Sequence, residues 1–190
     1  TTVSVAWLSS IRMILSGIAI LTLTIIKKDK SFFLVWKNIK DIFMLLLFSI
    51  FGVMLVQYTY FAAIAESNAA TATVLQYTYP VLMLLYTAIS TKKIPSLYEI
   101  IAIIFAFLGV VLIATHGNIH SLSIKTIALF WGLLSAFAFV FFTVSPQKLY
   151  QKYSILSING WAFFIAGISL LLGTRSYLEP IEYSFPAISL

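Results

Sequence analysis

Six long runs of apolar residues, separated by short polar stretches, make up most of the chain. They cover roughly Val3 to Ile26, Asp41 to Ile64, Ala69 to Ser90, Leu97 to Thr115, Ile124 to Ser145 and Ile155 to Gly173. A helix needs about 20 apolar residues to cross a hydrocarbon core of ~30 Å, and each run is close to that length. None shows the strict alternation of an outer-membrane barrel strand. The pattern predicts an all-α, polytopic membrane helix bundle with six transmembrane helices.

Composition supports the same class of protein. Hydrophobic residues make up 61% of the chain and charged residues 9%, whereas soluble domains average about 25% charged. The mean hydropathy is +1.02. The lipid bilayer is therefore the first partner that the sequence predicts.

The basic residues alternate between the two sides of the predicted bundle. The first, third and fifth connections hold Lys27, Lys28, Lys30, Lys37 and Lys40, then Lys92 and Lys93, then Lys148 and Lys152. The other connections and the tail hold only Lys125 and Arg175. By the positive-inside rule the odd connections face the cytoplasm and the Thr1 side lies outside, in a multi-pass protein of the cytoplasmic membrane. Nucleic-acid binding is rejected, because these lysines flank membrane spans and do not form one soluble face.

A weak internal repeat relates the first and last runs. A shift of 150 positions places Ser10 to Leu21 over Gly160 to Leu171, with Gly17 on Gly167. The charge pattern gives the two segments opposite orientations, as expected of inverted repeats. A chain that begins with Thr outside, without a positive n-region, is expected to be incomplete. The repeat predicts one further helix before Thr1 and another beginning just past Leu190, in a parent of ten spans.

Several short patterns give the chain a family resemblance. They are Arg12, the run Tyr60-Phe61-Ala62-Ala63-Ile64 leading into Ser67-Asn68-Ala69-Ala70-Thr71-Ala72, Leu75 up to Pro80, and the helix from Glu99 to Gly117. With these the chain resembles the EamA-type permeases of the drug/metabolite transporter superfamily. The resemblance implies two inverted five-helix repeats, here 1–117 without its first helix and the start of the second at 118–190. It also implies alternating-access transport of a small metabolite, often export of an amino acid, amine or related compound.

Four polar or amphipathic side chains are predicted at similar depth in the outer half of the membrane. At a rise of about 1.5 Å per residue, Arg12, Gln57, Gln76 and Trp131 all lie roughly 8 to 14 Å from the outer boundary. Polar groups at such depth are costly unless they have a use. These residues are candidates for substrate binding.

Pro80 adds a backbone element to this layer. A proline inside a helix cannot donate to the carbonyl four residues earlier, here that of Gln76, and it tends to kink the helix. Irregular backbone at this depth is tolerated where it is buried in protein or lines a cavity. The expected lining of a substrate path is Thr73, Gln76 and Pro80, faced by Gln57, Tyr60 and Ile64 on the preceding helix.

Simpler structural roles compete with binding at each position. Gln57 and Gln76 could hydrogen-bond to each other across the helix pair. Arg12 could reach the outer interface or neutralise Glu66, and the functional alternative is a bidentate contact to a substrate carboxylate. Of the four tyrosines, Tyr58, Tyr60, Tyr77 and Tyr79, at least two are expected to pack against neighbours.

The sequence offers no enzyme chemistry and no cofactor site. It has no paired intramembrane carboxylate and no cluster with metal-ligand spacing, while His116 and His120 fall in a predicted outer loop. Asp29, Asp41 and Glu99 are expected in loops or at helix ends. The alternative functions are a non-transporting sensor or assembly subunit and, third, a channel. A homodimer is compatible with the sequence, which does not decide between monomer and dimer.

Overall fold

The structure, a computed structural model, describes residues 5–115, 118 and 125–174, and the regular structure in these residues is helical throughout. The α-helices are α1 (Val5–Ile26), α2 (Ser31–Leu34), α3 (Ile39–Leu47), α4 (Leu55–Glu66), α5 (Ala69–Gln76), α6 (Tyr79–Thr91), α7 (Leu97–Thr115), α8 (Thr126–Val144), α9 (Gln147–Tyr150) and α10 (Ile155–Gly173). A 3-10 helix covers Val35–Lys37, and a π-helix covers Phe48–Met54 between α3 and α4.

Five helical segments within the described residues are long and apolar enough to cross a membrane. They are Val5–Ile26, Ile39–Glu66, Ala69–Thr91, Thr126–Tyr150 and Ile155–Gly173. The fourth predicted span coincides with α7, whose apolar stretch Leu97–Leu112 is shorter. The predicted polytopic helical bundle is confirmed.

Helices α1 and α10 are packed with their backbones in contact. A Cβ atom added at Gly17 would lie 2.6 Å from the backbone nitrogen of Phe164, and one added at Gly167 would lie 2.8 Å from that of Ile14. Small residues allow this kind of approach between membrane helices. Gly17 and Ile14 each lie 150 positions before Gly167 and Phe164. The two contacts are therefore equivalent: each glycine meets, on the other helix, the residue that corresponds to the other contact after a shift of 150 positions.

The second span contains a π-helix, Phe48–Met54, between α3 and α4. Phe48 begins this segment, is fully buried, and stacks at 5.4 Å on Phe142 of α8. Its neighbours in the buried core include Met13 of α1 and Ile158 of α10. The π-helix thus joins α8 to the α1–α10 pair.

An ionic cluster closes the end of the bundle where the predicted cytoplasmic connections lie. Asp41, in the first turn of α3, is only 2% exposed. Its carboxylate accepts hydrogen bonds from Lys152 Nζ at 2.9 and 3.2 Å and from Tyr153 Oη at 2.9 Å. Burial, together with the hydrogen bond to Asp41, raises the pKa of Tyr153 above its ordinary value, so the phenol remains the donor. Asp41 is at a helix end, as expected, but its burial could not be foreseen.

We predict opposite effects for the same substitution at two helical glycines. Gly17→Ala should lower the free energy of unfolding of the detergent-solubilised protein by about 1–3 kcal/mol, because the new methyl group meets the backbone of Phe164. Gly109→Ala is the matched control, since nothing lies within 4 Å of its added Cβ and alanine is the better helix former. Equal stability of Gly17→Ala and the parent protein would contradict the close crossing.

We predict an asymmetric response at the ionic cluster. Lys152→Met should destabilise the protein by about 2 kcal/mol or more, because it leaves the carboxylate of Asp41 buried without its cation. Asp41→Asn should cost less, about 1–2 kcal/mol, since the amide oxygen can still accept from Tyr153. Thermal unfolding in detergent measures both. In the double variant part of the Lys152→Met loss should return, and strictly additive losses would show that the pair is not coupled.

Candidate functional site

The third span is broken in its middle, and the break is the centre of the candidate site. Helix α5 ends at Gln76, Tyr77 and Thr78 form a turn, and α6 begins at Tyr79 with Pro80 in its first turn. Because Pro80 has no N–H, it cannot donate to the carbonyl of Gln76. The predicted disturbance at Pro80 is found as a two-residue turn between α5 and α6, within the single span Ala69–Thr91.

The side chain of Gln76 points from this break towards α8. Its Nε2 atom donates to the Ser135 hydroxyl at 2.7 Å, and Ser135 is fully buried. The alternative in which Gln57 and Gln76 bond to each other is wrong, because no hydrogen bond joins the two amides in the described residues. Gln57 is half-buried and makes no side-chain hydrogen bond within that same part of the chain. Its side-chain amide therefore has no partner among the described residues.

A second polar contact ties α4 to α5. Tyr60 Oη and Thr73 Oγ1 are 2.9 Å apart, and Thr73 Oγ1 also donates to the carbonyl of Ala69 at 2.7 Å. Since the threonine hydroxyl has one proton, Tyr60 is the donor in the first contact. The predicted facing stripes are therefore brought together at Tyr60 and Thr73, with half-buried Ile64 one turn beyond Tyr60.

Aromatic rings surround the break on the side of α8. Trp131 meets Tyr58 edge to face at 5.9 Å, and Tyr79 lies 4.3 Å from Phe139. Trp131, Ser135 and Phe139 follow one another at intervals of four residues, so they share one face of α8. Tyr58 and Tyr79 pack against neighbouring rings, as expected for at least two of the four tyrosines.

Ser135 is the site residue that sequence reasoning missed. The available signal was its position four residues after Trp131 in an otherwise apolar helix. Serine in a membrane helix usually bonds to its own backbone, so that signal is weak without the partner across the helix pair.

Arg12 lies apart from the amides of the break. Its guanidinium Cζ is 4.6 Å from the centre of the Phe61 ring, in a cation–π contact between α1 and α4. Glu66 forms no ion pair with it in the part of the chain that the structure describes, where Asp41 and Lys152 form the ion pair. Phe61 in turn contacts Tyr60 at 5.7 Å between ring centres. Phe61 thus contacts both Arg12 and Tyr60.

The groups at the break are hydrogen-bonding amides and hydroxyls framed by aromatic faces. Such groups can bind a polar organic molecule and strip its hydration without forming a covalent bond. No group of three or more His, Cys, Asp or Glu residues that could hold a metal ion occurs in the described residues. His116 and His120 lie outside those residues.

Comparison with known proteins identifies a family and a curated relative. A family model described as the EamA-like transporter family matches residues 1–115. An uncharacterized inner membrane transporter, YicL of Salmonella typhimurium strain LT2, is 40% identical over 165 residues, which cover 87% of this chain and 55% of that protein. The chain thus spans about half the length of this relative. No solved structure matches the present chain.

We predict energetic coupling between Gln76 and Ser135. In a double-mutant cycle of Gln76→Leu and Ser135→Ala, unfolding in detergent should give a coupling free energy of about 0.6 kcal/mol and at most ~1.7 kcal/mol, the average and the upper limit for hydrogen bonds between membrane helices. Ser16→Ala on the exposed face of α1 serves as the control partner and should add independently with Gln76→Leu. A coupling free energy of zero between Gln76→Leu and Ser135→Ala would show that this hydrogen bond does not contribute to stability.

Proposed function

The chain belongs to the EamA-like transporter family, and on this basis we propose that its full-length protein is a secondary transporter of a small polar metabolite working by alternating access. The substrate class that we propose is an amino acid, an amine or a related compound, and the proposed direction is export. The membrane location and the transporter family agree with the relative described above. Substrate, direction and mechanism are our inference.

The observation that carries the proposal is the interrupted third span with its amide layer. Discontinuous helices near the bilayer midplane provide unpaired backbone groups for substrates in many secondary transporters. Here the backbone carbonyl of Gln76 cannot accept a hydrogen bond from residue 80, which is proline. The side-chain amide of Gln57 has no hydrogen-bond partner in the described part of the chain. A substrate with hydrogen-bond donors and acceptors would satisfy both.

The surrounding groups favour an organic substrate with one polar end. Tyr58, Trp131 and Tyr79 offer ring faces and edges, while Tyr60 and Thr73 hold the polar side of α4 against α5. Arg12 is exposed and lies over a ring face, and no hydrogen bond or ion pair engages its guanidinium in the described residues, so its N–H groups stay available for a carboxylate. We assign Gln57, Gln76, Tyr60, Thr73, Pro80, Trp131 and Arg12 to the substrate path.

We also infer that residues 1–117 and 118–190 belong to two inverted repeats. The reciprocal crossing of α1 and α10 supports this, because the Gly17–Phe164 contact becomes the Gly167–Ile14 contact when each member is shifted by 150 positions. An axis of pseudo-symmetry in the membrane plane produces this reciprocity. In transporters with such repeats the substrate site lies at the repeat interface, as does the contact of α5 with α8 here.

The alternative function is a non-transporting sensor or assembly subunit, and a channel is a third. Purified full-length protein in proteoliposomes separates them when it is tested with a panel of labelled amino acids and amines. Saturable flux supports the carrier. Binding without flux supports the sensor, and flux that does not saturate supports a channel.

In the flux assay we predict that Gln57→Leu reduces the transport kcat/KM at least about tenfold, the effect of losing one hydrogen bond to a substrate. Gln76→Leu should reduce it as well, because it removes the contact with Ser135 that holds the break against α8. Gln151→Leu is the matched control, since that glutamine is exposed beyond α9. For a carboxylate substrate, Arg12→Gln should reduce transport more than Arg12→Lys. Wild-type transport by both Gln57→Leu and Gln76→Leu would remove the amide layer from the proposed path.

A further inference from the structure

The connection between α1 and α3 is folded against the bundle. Asp29 Oδ1 accepts from the backbone N–H of Ser31 at 2.9 Å at the start of α2. Asn38 Oδ1 accepts from the backbone N–H of Lys40 at 3.0 Å at the start of α3. These caps fix the backbone at both ends of the connection.

Aromatic packing holds the middle of the same connection. Trp161 Nε1 on α10 donates to the carbonyl of Phe32 at 3.0 Å. The indole also meets the rings of Phe32 at 5.1 Å and Trp36 at 4.9 Å. Val35, between them, is fully buried. One face of the connection is therefore committed to the protein core.

The opposite face is both apolar and basic. Phe33 is 70% exposed and Ile39 is 75% exposed, and Phe43 follows Ile39 one helical turn later in α3. The lysines of this stretch are all exposed, and they are Lys27, Lys28, Lys30, Lys37 and Lys40. We name these apolar and basic residues together the basic apolar surface.

The positive charges of this surface are not neutralised by the protein in the part of the chain that the structure describes. The ion pair found there joins Lys152 to Asp41 and uses none of the five lysines. Asp29 is the acidic residue inside the connection, and hydrogen bonds from the Ser154 side chain and the Ser31 backbone lower the pKa of its carboxyl group. Five cations thus face outward beside exposed apolar side chains at the entry of a membrane span.

We propose that the basic apolar surface binds the headgroups of anionic phospholipids, with phosphatidylglycerol as the test ligand, in the leaflet that it faces. Phe33, Ile39 and Phe43 would enter the acyl boundary, while the lysines extend their ammonium groups to phosphate. By the positive-inside rule this leaflet is the cytoplasmic one. The folded connection and its contact with Trp161 make this a localised binding site and not only a diffuse charge.

A soluble anionic partner fits the surface less well. The apolar members continue directly into α3, the start of an apolar span, so they lie where acyl chains begin. A lipid satisfies the apolar and the basic groups at once. A free anion or nucleic acid would leave Phe33 and Ile39 exposed to water.

The test is lipid binding by the purified full-length protein in detergent, with bound lipids counted by native mass spectrometry and affinities obtained by titration. Phosphatidylglycerol should bind more tightly than phosphatidylcholine, and salt should weaken only the former. Lys30→Gln/Lys37→Gln should weaken phosphatidylglycerol binding by roughly 10- to 30-fold, about fivefold for each lysine. Lys30→Arg/Lys37→Arg should retain it, which distinguishes lost charge from a fold defect.

The charge-matched control is Lys92→Gln/Lys93→Gln in the connection before α7, which should change the affinity less than threefold. Equal losses in the two Gln pairs would overturn the proposal, since binding would then follow net charge alone. Equal affinity for the two lipids would overturn it as well. Neither result would affect the proposed transport function, which is measured by flux.

A second measurement tests the apolar half of the surface. The chain contains no cysteine, so Phe33→Cys gives it one labelling site for an environment-sensitive fluorophore. In phosphatidylglycerol nanodiscs the label should be shielded from iodide, and Lys93→Cys should be more accessible. Equal quenching at the two positions would contradict insertion of Phe33 into the leaflet.

Discussion

Satisfaction of hydrogen-bonding groups inside the bilayer is the constraint on which the rest of this structure depends. Many hydroxyls in the described spans bond to the carbonyl four residues earlier in their own helix, as Ser10, Thr24, Ser49 and Thr143 do. These side chains are consumed locally and are not available to a ligand. The turn after Gln76 differs from these sites, because a proline there leaves a backbone carbonyl that its own helix cannot pair. Two polar contacts between spans, Gln76–Ser135 and Tyr60–Thr73, lie within one helical turn of this carbonyl.

Three regions of the bundle are stabilised by different physical interactions. At the lysine-rich end, the buried carboxylate of Asp41 holds Lys152 and Tyr153, and Trp161 holds the first connection. Deeper in the bundle the glycine crossing of α1 and α10 relies on backbone proximity and dispersion. Around the break, single hydrogen bonds such as Gln76–Ser135 join the helices. Contacts of this last kind are weak enough to exchange with a bound molecule.

Local features of the sequence predicted the spans and the break, while partners across the bundle were out of reach. Transfer into lipid acts on each residue separately, so hydropathy alone places the helices. Pro80 acts on its own helix, and the Tyr60–Thr73 contact follows from helical periodicity on two consecutive helices. The bond from Gln76 to Ser135 spans 59 positions, and the contacts of Arg12 and Asp41 also depend on helix rotation. Rotation is set by packing, which composition does not encode.

The reciprocal crossing of α1 and α10 bears on how such a chain could have arisen. The Gly17–Phe164 and Gly167–Ile14 contacts are equivalent under a shift of 150 positions. Two separate copies of a single repeat could make this contact with each other if they inserted into the membrane in opposite directions. Fusion of their genes would keep that interface while releasing each half to diverge. Gly17 and Gly167 would then be the least free to vary, because each must still fit a backbone that its duplicate once supplied.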